Sequence, residues 1–484
     1  MSRNRRSLLR RLALLALPAI VVSSVLAASG PASGSGASSD VTNRPSDRPS
    51  FVVIMTDDQR METLSKMPQT QKLLADKGTT FTNSFVVNPE CCPSRAATLT
   101  GNYSHNTGVY RDQPPHGGVK SFVQHHDERS TIATWLNGAG YTTALMGKYL
   151  NGYKGTRIPQ GWDSWTAFNV PHSGTGHYFN YDLNINGHLK HFGGAKDDYS
   201  TDVLAQKAST FINNTNGPFF LYWAPSAPHK PAVPAPKYEH ALAHLPKWRP
   251  ASFNEKGIKD KPKWARVPRL TKTEIHRDVD QTRLDQYRTL LSVDDAVGHI
   301  VAALRNAGRL DNTMIIFTSD NGFLWGEHRF TGKQTPWEES IRVPFIFRYD
   351  PVTGNTGTTN DNLIANIDIA PTIAAAAGVN TPHVDGSNIL DLLNGSNWRT
   401  QFLIEHMEGR YSPAPTYCAM RTQTEMYAVY KTGDRELYDL TSDPLELHNL
   451  ANDPNYDQEI NGSGGLNDQL RQMCSPPPPN WKGP

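Results

Sequence analysis

Phe51-Val52-Val53-Ile54-Met55-Thr56-Asp57-Asp58 is an unbroken apolar run that stops at two acids. A run of this kind, without alternating polarity, suits a strand covered on both faces, as in a parallel sheet. Comparable runs recur at Thr142 to Met146, Phe219 to Trp223, Met314 to Phe317 and Val343 to Phe347. Helix-like stretches lie between them, such as Tyr287 to Asn306, which carries Leu290, Leu291, Val297, Ile300 and Leu304. Strands that alternate with helices predict an α/β fold around a large, mostly parallel central sheet. Beyond about residue 400 the pattern shortens to β-like runs at Met426 to Tyr430 and Glu436 to Leu440. These predict a small C-terminal subdomain with an antiparallel sheet.

The rest of the chain sets limits on function. Its 484 residues suit one large catalytic domain with an appendage, and 48 basic against 46 acidic residues leave a formal charge of +2. No basic cluster marks a nucleic-acid footprint, so that class of partner is excluded. The N-terminus reads as an export signal: basic residues from Arg3 to Arg11, an apolar stretch from Leu12 to Leu26, then Ala27-Ala28-Ser29. Arg5-Arg6 gives it a twin-arginine character, which points to a bacterial exporter and to a secreted or envelope-associated product. The apolar stretch is short for a membrane span, and no other segment of the mature chain reads as one. The expected layout is a signal peptide at 1–27, a flexible linker at 28–48, a catalytic domain at 49–398, the small-sheet subdomain at 399–460 and a loose Pro-rich tail at 461–484. Residues 231–279, rich in Pro, Lys, Trp and His, read as a surface excursion near the rim of the site. Of the four cysteines, Cys418 and Cys474 can pair in an oxidising compartment, but spacing does not decide it.

Two strands end alike. The first runs into Asp57-Asp58, and Met314 to Phe317 runs through Thr318-Ser319 into Asp320-Asn321-Gly322. Ligands bind at the carboxyl ends of strands in open α/β sheets. Three carboxylates and an amide there offer only oxygen donors, which favour Ca²⁺ or Mg²⁺ over Zn²⁺. An ordinary Asp-Asn-Gly turn beside a solvated strand end is the plainer reading of either segment alone. A third segment is Cys91-Cys92-Pro93-Ser94-Arg95-Ala96-Ala97-Thr98-Leu99-Thr100-Gly101. Pro93 suits the first turn of a helix, so Cys91 sits where free N–H groups favour an anion, with Arg95 one turn further on. That describes a nucleophile beside an anion site, or else a buried structural cysteine.

This segment resembles the signature of the sulfatase family, Cys-x-Pro-Ser-Arg-x-x-x-Leu-Thr-Gly, at every fixed position. The resemblance runs from about Arg48 to Pro454. It implies an alkaline-phosphatase-like α/β sandwich with a small C-terminal sheet, and conversion of Cys91 to formylglycine by a formylglycine-generating enzyme. Cys92 fills the variable position. Asp57, Asp58, Asp320 and Asn321 match the family's Ca²⁺ ligands, completed by an oxygen of residue 91. Lys148, His229 and Lys333 match its sulfate-contacting residues. His328, near Lys333 in sequence, is a candidate for the pocket wall. Tyr149-Leu150-Asn151 departs from the Gly-Lys-Trp-His element of many members, so the contact made by that His is missing or supplied otherwise. Together with the doubled Cys and Leu290-Leu291-Ser292-Val293-Asp294-Asp295, it resembles the N-acetylglucosamine-6-sulfatase branch. The implied substrate is a sulfated sugar such as 6-O-sulfated N-acetylglucosamine. The Trp and Tyr residues between Trp162 and Tyr199 are either a stacking surface for it or core. The competing functions are an arylsulfatase, a phospho- or phosphonate monoester hydrolase of the same superfamily, and an inactive carbohydrate-binding homologue.

Overall fold

The computed structural model describes residues 48–169 and 176–484. The signal peptide expected at 1–27, and the linker as far as residue 47, lie outside the described residues. Strand β1 (Ser50–Thr56) is buried throughout. Its side chains alternate between two cores. Phe51, Val53 and Met55 face one, with α2 (Ile132–Gly138) and α5 (Ile369–Ala377) packed over them. Val52 and Ile54 face the other, under α3 (Ser200–Asn214) and α4 (Thr282–Asn306). Two helical layers explain why the run shows no polar alternation, and each large apolar side chain so covered contributes about 1.5–3 kcal/mol.

The central sheet has ten strands: β1, β2 (Thr79–Phe81), β3 (Thr142–Gly147), β4 (Ser164–Asn169), β5 (Tyr181–Ile185), β6 (His188–Phe192), β7 (Phe219–Ala224), β8 (Thr313–Ser319), β9 (Phe345–Arg348) and β10 (Thr358–Asn360). They lie in the order β10-β2-β9-β8-β1-β7-β3-β4-β5-β6. The central set β8, β1, β7, β3 and β4 is parallel, as expected. The flanks are not, which makes the sheet mixed: β9 runs antiparallel to β8, and β5 and β6 form a hairpin beside β4. That hairpin turns at Asn186-Gly187, both with positive φ (48° and 89°), the backbone that a two-residue turn demands.

The small sheet is antiparallel in chain order: β11 (Gln401–His406), β12 (Tyr417–Thr422), β13 (Glu425–Tyr430) and β14 (Arg435–Asp439). The tail expected to be loose is anchored instead. Helix α6 (Leu466–Met473) buries Leu466 and Leu470 against Leu403, Met420 and Leu437, and Cys474 is disulfide-bonded to Cys418. The excursion at 231–279 is likewise more than surface, since Ser252, Glu255 and Lys261 are buried. Among the described residues no helix is long and apolar enough to cross a membrane.

Candidate active site

The parallel register of β1 and β8 pairs Ser50 with Thr313 and ends by pairing Thr56 with Ser319. The next residues of both strands therefore leave the sheet side by side. The Asp320 N–H donates to the Thr56 carbonyl at 3.1 Å, and the Asp58 N–H donates to Asp320 Oδ1 at 3.1 Å. Asn321 Nδ2 donates to Asp58 Oδ1 at 2.6 Å. Asp58 has a φ of 69°, a left-handed backbone that a non-glycine residue holds at a cost of about 1–3 kcal/mol and that recurs at functional sites.

Helix α1 (Cys91–Thr100) meets this corner with its N-terminus. It is buried along its length and ends at Gly101, whose φ of 75° permits the left-handed cap. Pro93 lies in its first turn, where no backbone N–H is needed. Cys91 Sγ is 3.4 Å from Asp57 Oδ1. Arg95, one turn on, donates through Nε to Asp320 Oδ2 at 2.8 Å and through Nη1 to the Lys148 carbonyl at 3.1 Å. Lys148 follows β3 and places Nζ 2.5 Å from Asp57 Oδ2. Lys333 Nζ contacts Asp58 Oδ1 and lies 2.7 Å from Cys91 Sγ. His229 turns Nε2 toward Asp58 Oδ2 at 3.9 Å, while Nδ1 is 2.5 Å from the Lys230 carbonyl.

The structure thus brings together Asp57, Asp58, Cys91, Arg95, Lys148, His229, Asp320, Asn321 and Lys333. It places His328 elsewhere. That ring is 1 % exposed, packs on Trp337 and bonds Glu255 through Nδ1 at 3.0 Å. Gly326, His328 and Arg329 all have positive φ, and His328 is not among the residues that line the cavity beside residue 91.

Charge balance dominates the corner. Burial alone would raise the Asp57 carboxyl, but Lys148, then His229, Arg95 and Lys333 outweigh it and hold it well below the usual carboxylate range. Burial and the neighbouring Asp57 raise Asp320 despite Arg95. Burial would likewise lower both lysines, yet Asp57 raises Lys148 and Asp58 raises Lys333, so both stay charged. Burial, with Asp320 and Asp57 nearby, pushes the Cys91 thiol well up. The arrangement can grip a tetrahedral anion from several sides while a divalent cation holds the carboxylates.

A cavity of about 390 Å³ opens beside these residues, lined by Asp57, Lys148 and His229 together with Tyr149, Asn151 and His177. His177 stacks on Phe168, ring centroids 4.3 Å apart, and Phe168 also lines the cavity. Sequence reading missed Gln113, Asn151, His177 and Lys230, which stand in loops without a periodic signal. Of the two readings of the Trp and Tyr residues of 162–199, a stacking surface or core, core holds for Trp162, Trp165, Tyr178 and Tyr199. Tyr149, in the element that departs from the family pattern, packs edge-on against Trp165 and Tyr153 and forms part of the wall.

Known proteins match this sequence and fold. The sequence model of the Sulfatase family matches residues 49–379, and that of the N-sulphoglucosamine sulphohydrolase C-terminal region matches 326–474. The chain is 32 % identical over 483 residues to the N-acetylglucosamine-6-sulfatase of Homo sapiens, covering 89 % of this chain and 85 % of that one. It is 34 % identical over 395 residues to the extracellular sulfatase SULF-1 homolog of Drosophila melanogaster, 78 % of this chain but only 35 % of that longer relative. Its structure superimposes on BT4656 in complex with its substrate D-glucosamine-2-N,6-O-disulfate, with a TM-score of 0.73 and 25 % identity, over 88 % of this chain and 97 % of that one. With its alkaline-phosphatase-like sheet and its separate C-terminal sheet, the chain belongs to the sulfatase family and is a sulfuric ester hydrolase.

Proposed function

We propose that this enzyme removes sulfate from a sulfated sugar of the 6-O-sulfated N-acetylglucosamine type, with residue 91 as formylglycine and one Ca²⁺, or Mg²⁺, at the carboxyl ends of β1 and β8. One observation carries the proposal: Cys91 opens a buried helix at the point where three carboxylates and the cations Arg95, Lys148 and Lys333 converge. The names of the human relative and of the superimposed complex support the sugar class. Asp57, Asp58, Asp320 and Asn321, with an oxygen of residue 91, would hold the metal. The donor set fits, because all four side chains are buried and offer oxygen, and the Asp57 and Asp58 carboxylates lie within 4.8 Å of the side-chain end of residue 91.

Bound there, the ion would acidify a hydroxyl of residue 91 and draw charge from a sulfate oxygen. As a hydrated aldehyde, residue 91 would present two hydroxyls on one carbon, one to attack sulfur and one whose deprotonation expels sulfate and restores the aldehyde. The chain's own residues do the remaining work. Arg95, fixed by Asp320 and the Lys148 carbonyl, keeps positive charge at the attacking oxygen. Lys148 and Lys333 bind the sulfate oxygens where negative charge gathers. His229 donates a hydrogen bond from Nδ1 to the Lys230 carbonyl, which leaves Nε2, facing the cavity, to protonate the departing sugar oxygen. Phe168 and His177, stacked on each other, form part of the cavity wall beside the sugar. Maturation requires a formylglycine-generating enzyme, and the basic–apolar leader supports export.

The decisive experiment is peptide mass spectrometry at position 91 on natively expressed protein. It is paired with turnover on 6-O-sulfated N-acetylglucosamine, an aryl sulfate, a phosphate monoester and a phosphonate monoester. Aldehyde at residue 91 and preferred sugar desulfation are expected. An unconverted thiol in active protein sinks the mechanism, and turnover of the aryl ester alone sinks the substrate class.

A further inference from the structure

His328, which the active site leaves unused, belongs to a second cluster. Its neighbours are Glu339, on the short helix Glu338–Ile341, and Glu446, in the turn after β14. His328 and Glu446 are 1 % exposed, and the Glu339 side chain is 9 % exposed. Their ligand atoms all lie within 4.8 Å of one another. His328 Nε2, Glu339 Oε2 and Glu446 Oε1 are buried and make no hydrogen bond. Three such orphans facing one spot share one missing partner. Direct bonding does not supply it, because His328 Nε2 and Glu339 Oε2 stand 3.9 Å apart. Lys261 Nζ donates to Tyr438 Oη at 2.9 Å and to the Glu446 backbone carbonyl, and makes no hydrogen bond to any of the three orphaned atoms. The other Glu446 oxygen accepts from the Glu338 N–H at 2.9 Å.

We infer that His328, Glu339 and Glu446 form a structural site for a first-row divalent transition ion, Zn²⁺ being the natural probe, separate from the oxygen-only centre at residue 91. One imidazole and two carboxylates form a donor set of the type that Zn²⁺ accepts. At a metal–ligand distance of roughly 2.0–2.2 Å a tetrahedral ion keeps its donors roughly 3.4 Å apart, so the His328–Glu339 pair need close by about half an ångström and the other pairs by at most about 1.4 Å. The surroundings are those of a built site. Glu255 bonds His328 Nδ1 at 3.0 Å, which fixes the ring and leaves Nε2 free to donate its lone pair. The ligands come from three separate stretches, and two of them, His328 and Glu339, bracket the segment that carries Lys333. An ion here ties both ends of that segment to the C-terminal region and so steadies the lysine at residue 91.

The test uses the full-length enzyme, stripped with chelator, reloaded with Zn²⁺ in the presence of excess Ca²⁺, desalted and assayed for zinc per chain. The wild type is expected to retain one zinc, and H328Q and E446Q to retain none while still binding Ca²⁺. A D57N/D58N double variant is expected to keep its zinc. Zinc absent from the wild type, unchanged in H328Q and E446Q, or lost from D57N/D58N overturns the assignment. If the variants at 328 and 446 fail to fold, two measurements on the wild type decide. Co²⁺ loading should give visible d–d absorption that Zn²⁺ displaces and Ca²⁺ does not, and zinc should raise the melting temperature above that with Ca²⁺ alone. Failure of either result removes the site.

Discussion

Replacing Lys333 by Ala removes the ammonium group that reaches residue 91. Its Nζ is 2.7 Å from Cys91 Sγ and touches Asp58, and its side chain is only 14 % exposed. A positive donor facing developing charge in a dry site is worth about 2.7–4 kcal/mol, or about 10²–10³ in kcat. The upper part of that range is expected, because Lys333 bonds both the nucleophile position and a carboxylate beside it. Asp58 would keep Asn321 as a bonded partner, so the folding penalty should be about 1–3 kcal/mol and the protein should still fold. The assay is steady-state kinetics on 6-O-sulfated N-acetylglucosamine, normalised to the aldehyde content at residue 91 and accompanied by a melting curve. KM should change less than kcat, since the interaction strengthens as charge develops. A kcat within about tenfold of wild type at equal aldehyde content would refute the role given to Lys333.

Other outcomes follow from the same geometry. H229A should lose about 10²–10⁴ in rate on sugar sulfates, whose leaving oxygen needs a proton, but far less on an activated aryl sulfate; equal losses on both would remove His229 as the acid. Chelation should abolish turnover and Ca²⁺ should restore it; activity that survives exhaustive chelation contradicts the metal centre. Cys418 and Cys474 are 56 residues apart, so C418S/C474S should lose about 4 kcal/mol in denaturant titration, and a loss below about 1 kcal/mol would show that the reduced chain is already constrained there. Asp127 is raised to about 8 by burial, and its Oδ2 has no hydrogen-bond partner. The folded state therefore binds this proton more tightly than the unfolded chain, whose carboxyl titrates near about 3.9. That stabilisation is complete below the unfolded pKa and is lost as pH rises toward 8. Melting curves should show the wild type falling relative to D127N across this window, and parallel curves would contradict the assignment.

The central strands and the charged corner were legible because their causes are local. A strand covered on both faces must be apolar throughout, and Asp57, Asp58, Asp320 and Asn321 announce themselves by following such runs. The hairpin of β5 and β6 could have been found, since Asn186-Gly187 is a strong two-residue turn signal, and recognising it would have predicted a mixed sheet. His328 could not have been placed by its distance from Lys333 in sequence. Gly326, His328 and Arg329 all have positive φ, and only glycine advertises such a conformation. The anchored tail depended on a disulfide, and its pairing is a fact of three dimensions. Phe168 and His177 had no legible signal, because their stacking joins a strand end to a residue nine positions further along the chain.

The lockstep of β1 and β8 divides the enzyme into a part that cannot drift and a part that can. The acids at the strand ends inherit their positions from the most deeply covered backbone in the protein, so any change that shifts them must first break the middle of the sheet. Apart from Asp57 and Lys148, the cavity walls come from loops and from the end of β4, which hold none of the other acids. New sugars can thus be accommodated by altering Asn151, Phe168 or His177, leaving the sulfate-cleaving centre untouched.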